Sequence, residues 1–93
     1  MVVGLCQILL RTPETFSLKD KRQITVGLKS KIRSRYNVSV AETGRQEEKR
    51  LAELSLAAVA TGREQIHQLF MAVLRLVEND GRGEVVDFWI EWY

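Results

Sequence analysis

Apolar residues fall into six groups along this chain, and their spacing switches between two periods. The run VVGLCQILLR, residues 2–11, has two alternating sets: Val2, Gly4, Cys6, Ile8, Leu10 and Val3, Leu5, Gln7, Leu9, Arg11. Both sets are largely apolar, which predicts a central strand closed by TPET, where Pro13 ends any ladder. From Ser17 the period changes. Leu18, Ile24, Leu28, Ile32 and Tyr36 recur at helical spacing, Ser17 offers an N-cap with Asp20 three residues on, and Asn37 suits the stop.

VSVAE then alternates weakly, TGRQEEK reads as a turn or ragged hairpin, and LAELSLAAVA, residues 51–60, reads as a strand. Its Ala and Leu content would also suit a helix, but Thr61-Gly62-Arg63-Glu64 places a new helix start directly after it. A second helix over roughly 63–78 carries Ile66, Leu69, Phe70, Val73, Leu74 and Val77 on one side, and NDGRG stops it. EVVDFWIEWY closes the chain as a strand with Val86, Phe88, Ile90 and Trp92 on one face.

The order is βαββαβ. Two split βαβ units with right-handed crossovers place both helices on one face of a four-stranded antiparallel sheet of order 4-1-3-2. This is the ferredoxin-like α+β architecture, predicted as one domain over residues 1–93. It makes the first and third strands central, in keeping with their two apolar faces.

Composition excludes more than it assigns. The apolar start has no basic region before it and no cleavage signal after it, and no apolar run reaches transmembrane length, so a cytoplasmic protein is expected. One Cys and one His make a metal site improbable, and Cys6 reads as a buried, reduced thiol. His67 lies off the apolar face without a nameable nucleophile or orienting carboxylate, and Gly81 and Gly83 sit in the wrong order for a phosphate loop. The expectation is a non-enzymatic protein with no cofactor.

Charge carries the remaining signal. The formal net charge is only +2, yet Arg11 to Arg35 hold eight cations against Glu14 and Asp20, while the other 68 residues hold six cations and ten acids. On a helical wheel Arg22, Lys29 and Arg33 line one flank with Lys19 nearby, and Lys31 and Arg35 line the other. Asp20, Gln23, Gly27, Ser30 and Ser34 form a low polar strip between them. Cations flanking small hydroxyl-bearing residues suit a phosphate backbone, with Arg11, Lys19, Lys21, Arg22, Lys29, Ser30 and Arg33 as the contacting set. Long basic side chains that merely solvate a helix give the same pattern. Lys21 falls in the apolar arc, where its stem can pack and its ammonium can escape from the first turn.

The sheet face away from the helices offers a second surface. Neither central strand presents an aromatic ring there, and Trp89 and Tyr93 stand beside Asp87 and Glu91, so base stacking in the manner of an RNA-recognition domain is disfavoured. Val3, Leu5, Leu9, Val59, Val85 and Trp89 instead form a partly apolar platform, and an interface through Val3, Leu5, Val85 and Trp89 would make a homodimer or adaptor. A small-molecule sensor between paired domains is permitted by the fold but required by no residue.

SLKDKR at 17–22 together with NVSVAE at 37–42, after an MVVG strand and before EVVDFWIEW, resembles the YlxP-like family of small bacterial proteins of unknown function. The resemblance spans essentially the whole chain. It implies a ferredoxin-like fold and a cytoplasmic role near RNA or the ribosome, since genes of the family often lie among translation and ribosome-maturation factors; it implies no catalytic site. Where relatives tend to have an Asp-x-Trp-Gln-like run before the third strand, this chain reads Glu47-Glu48-Lys49-Arg50. The expected function is binding of structured RNA or a ribonucleoprotein through the basic first helix, with the open-face homodimer as the alternative.

Overall fold

The computed structural model describes residues 1–13 and 17–93. Its elements are β1 (Val2–Arg11), α1 (Leu18–Arg35), β2 (Ser39–Gly44), β3 (Leu51–Ala60), α2 (Arg63–Asp80) and β4 (Glu84–Trp92). The sheet is antiparallel with order β2-β3-β1-β4, the predicted ferredoxin-like arrangement with β1 and β3 central. Neither helix is long and apolar enough to cross a membrane.

Alternation along β1 decides the layers. Cys6, Ile8 and Leu10 are fully buried under the helices with Leu54 and Leu56 of β3, while Leu5, Gln7 and Leu9 face the other way and are half-buried. Gly4 has to be small. A Cβ there would lie 2.7 Å from Ile66 Cγ2 and 3.0 Å from the Trp92 ring, which is seated over β1 with the Arg63 guanidinium 5.5 Å from its centroid.

α2 runs two residues past the predicted end and stops at Gly81, whose φ of 79° is the left-handed conformation that glycine adopts without steric cost. α1 behaves differently. Its cap is as expected, with the Ser17 hydroxyl accepting from the Asp20 N–H at 3.2 Å, but it ends at Arg35, before Asn37. Tyr36 is extended, and no left-handed residue is needed, because the turn into β2 is made by extended backbone.

Two faces are corrected by the structure. The buried stripe of α1 is Lys21, Thr25, Leu28 and Ile32, rotated from the apolar stripe drawn through Leu18 and Ile24. The wheel was rotated because two polar residues lie inside with their polar atoms satisfied: Thr25 Oγ1 donates to the Arg22 carbonyl at 3.1 Å, and Lys21 is held as described below. In β4, a bulge shifts the register between Leu9 and Leu10, so that Leu10 pairs with Val85. Val85 therefore packs against the core and leaves the open-face platform, whereas Val86, expected inside, is 40% exposed.

Candidate nucleic-acid interface

The cations of α1 divide into three groups once the helix is docked. Lys21 is the first and is removed from any external contact. Its side chain is 2% exposed, and Nζ donates to the carbonyls of Arg45 and, at 2.6 Å, Glu48, with the Glu42 carboxylate 3.9 Å away. An ammonium can be buried only with such partners. Its consequence is local. The 45–50 turn between β2 and β3 is fastened to α1 by its main-chain oxygens, and Arg45 is held at φ 58°, a conformation costly for a side chain with a Cβ.

Thr12 fastens the other side of that turn by donating twice: its N–H to the Arg50 carbonyl at 2.7 Å and its hydroxyl to the Lys49 carbonyl at 3.0 Å. The turn is thus secured through backbone atoms. Within it the Glu48 carboxylate also accepts from Arg45 Nη1 at 3.1 Å, in a turn that carries Glu47-Glu48-Lys49-Arg50 and no tryptophan.

The second group is drawn toward α2. Asp80, whose side chain is 2% exposed, accepts from Lys31 and from Arg82 Nε and Nη2 at 2.6 and 3.0 Å. The Arg82 hydrogen bonds first, and then Lys31, hold the Asp80 carboxyl well below the usual carboxylate range against the opposing effect of burial. The Arg82 guanidinium lies over Gly27, where a Cβ would come within 2.5 Å of it. Gly27 accordingly accommodates an internal arginine and leaves the outward strip, which consists of Lys19, Gln23, Val26, Ser30 and Ser34, all exposed.

The third group is the flank beside β2. Arg22 and Lys29 border a cleft of about 410 Å³ floored by Lys21 and Thr25, with Leu18, Val26, Glu42, Gln46 and Glu47 around it. Arg33 stands one turn further on and donates to the Val40 carbonyl at 2.9 Å, which ties the helix to β2 and leaves the rest of its exposed guanidinium outward. By helical rise, Arg22 to Arg33 span about 16 Å. Lys19 and Ser30 lie exposed beside them. Glu42 is turned toward Lys21, and Glu47 is exposed on the far wall.

Arg11 does not join this group. It ends β1 on the open-face side, opposite Leu51, and contacts Glu84 at 3.4 Å. Of the open-face residues, Val3 and Leu5 are half-buried and Trp89 is 45% exposed, but Gln7, Ser55 and Glu91 share a cleft with Leu5 and Trp89, so the platform is smaller and more polar than its sequence suggested. His67 is exposed, and Cys6 is buried, its thiol pushed up to about 11 by desolvation.

Comparison with known proteins places this chain. A family model described as "Protein of unknown function (DUF503)" matches residues 3–90. The chain is 27% identical over 77 residues to the uncharacterized protein YlxP of Bacillus subtilis (strain 168), covering 83% of this chain and 84% of that protein. Among solved structures it is similar to two designed proteins. One is Foldit4 (TM-score 0.56, 14% identity, 100% of this chain and 97% of that one). The other is LFR1 1, described as having a ferredoxin fold (TM-score 0.55, 12% identity, 100% and 84%). These likenesses concern the fold alone. The two sequence stretches that resembled the YlxP-like family, SLKDKR and NVSVAE, meet in space through Lys21 and Glu42, and with the family model spanning most of its length, the chain belongs to the DUF503 family.

Proposed function

We propose that this protein is a non-enzymatic cytoplasmic binding module for structured RNA or a ribonucleoprotein, and that it contacts phosphates along the β2-side flank of α1. The observation that supports the reading is the alignment of Arg22, Lys29 and Arg33 on one flank beside an open cleft, with Lys19 and Ser30 exposed next to them. Arg22 and Arg33 are exposed, whereas Lys21 is buried and Lys31 is paired with Asp80. Guanidinium and ammonium groups at this spacing neutralise successive phosphates and release counterions, while Ser30 supplies a hydroxyl hydrogen bond. Recognition would follow RNA shape, since the flank offers few groups able to read base edges.

The test is filter binding to ribosomal RNA at low salt by three proteins: the parent, a Lys19→Glu/Arg22→Glu/Lys29→Glu variant, and an Arg63→Glu/Arg75→Glu control that reverses charge on α2. Folding is checked by circular dichroism. The reading expects binding by the parent and the control and loss in the flank variant. Equal binding by all three, or by none, would leave the cations as a solvated helix face.

A further inference from the structure

The two edges of the sheet are finished differently. On β2, side chains take two carbonyls: Arg33 that of Val40 and Gln46 that of Glu42, at 3.4 Å. On β4, Val3 and Tyr93 exchange both backbone hydrogen bonds, at 3.0 and 2.8 Å. Alternation from that pair makes Glu91, Trp89 and Asp87 the residues bonded to β1, so Phe88, Ile90 and Trp92 aim their N–H and C=O groups out of the sheet. The Phe88 N–H is met by its neighbour, Asp87 Oδ1, at 2.8 Å. Among the described residues nothing meets the Phe88 carbonyl or either group of Ile90 and Trp92. Phe88 (39%), Trp89 (45%) and Tyr93 (68%) stand exposed along this stretch. Such an edge is a template for another strand.

We propose that β4 pairs antiparallel with β4 of a second copy about a twofold axis at Ile90, joining two sheets into one of eight strands. The charge pattern selects both the partner and the register. With the axis at Ile90, Phe88 opposes Trp92 of the second copy, Trp89 opposes Glu91, and Asp87 opposes Tyr93. Aromatic residues then stand at opposing positions and no like charges face each other. Moving the axis to Trp89 sets Asp87 against Glu91, and moving it to Glu91 sets that carboxylate against itself. An axis at Phe88 runs the bulge at Val86 into the ladder. The inference is independent of RNA binding, because α1 packs over β2 at the opposite edge and its flank stays open.

Sedimentation velocity over concentrations from about micromolar to about millimolar tests it. The parent should pass from monomer to dimer, and amide exchange at Ile90 and Trp92 should slow as the dimer forms. Ile90→Pro removes an outward N–H twice at the axis, in a position where an edge strand tolerates proline, and should raise the dissociation constant by on the order of 30-fold. Trp89→Lys sets a cation opposite Glu91 and should still dimerise. A parent that stays monomeric throughout overturns the proposal. So does a dimer abolished by Trp89→Lys yet indifferent to Ile90→Pro, with Ile90 and Trp92 amides unprotected, which would put the contact on the open sheet face.

Discussion

Replacing Lys21 with methionine isolates the fastening between α1 and the 45–50 turn. The substitution keeps a flexible apolar stem in place and deletes the ammonium, so two main-chain carbonyls lose their donor and the Glu42 carboxylate loses its counter-charge. Each hydrogen bond to a charged group is worth about 1.5–3 kcal/mol, giving a ceiling near 6 kcal/mol for the pair. The turn is exposed, so its carbonyls recover part of that from water once it loosens. A net loss of about 3 kcal/mol follows, the lower end of what breaking a buried ion pair costs. For a domain of this size that lowers Tm by about 12–24 °C. Thermal and urea unfolding followed by tryptophan fluorescence would measure it, and amide exchange should quicken first at residues 45–50. In a Glu42→Gln background the same change should cost less, since the partner carboxylate is already gone. A loss below about 1 kcal/mol with unchanged exchange in the turn would refute the reasoning, because Lys21 would then be a passive filler.

Asp80→Asn should destabilise the protein at neutral pH by about 1.5 kcal/mol, after allowance for solvent at the half-exposed Lys31 and Arg82. A carboxyl held below its ordinary value contributes stability above the unfolded pKa of 3.8 and loses it as pH falls toward the folded pKa. The gap between parent and variant should therefore be full above about pH 5 and narrow in acid; a gap independent of pH would sink this assignment. Cys6, buried and pushed up to about 11, should react with a thiol reagent at pH 8 only as fast as the protein opens, and rapid labelling of folded protein would contradict its placement.

The fold was legible because its signals agreed with one another: the switch of period at Ser17, the stop at Gly81 and the two apolar faces of β1 all pointed to one topology. The misread features share a cause. Hydrophobic patterning counts Lys21 and Thr25 as polar, yet both are inside, because the Arg22 carbonyl satisfies Thr25 and carbonyls distant in sequence satisfy Lys21. Val85 was misplaced because a bulge shifts facing by one residue and leaves no mark in a run of two valines. Gly27 looked like room for a ligand, and the arginine that fills it comes from 55 positions later in the chain. Lys21 in an apolar arc was the one readable hint, and the missing information was its partners. For Arg22, Lys29 and Arg33 the spacing alone sufficed, since they share a flank in any helix.

The proposal that this flank holds phosphates is tested most directly by the salt dependence of ribosomal RNA binding, measured for the parent and for Lys19→Gln/Arg22→Gln/Lys29→Gln. Each phosphate neutralised contributes about 0.7–0.9 to the slope of log affinity against log salt. The account predicts a steep fall for the parent and a slope shallower by about 2–3 in the variant. Parallel slopes for the two proteins would contradict it.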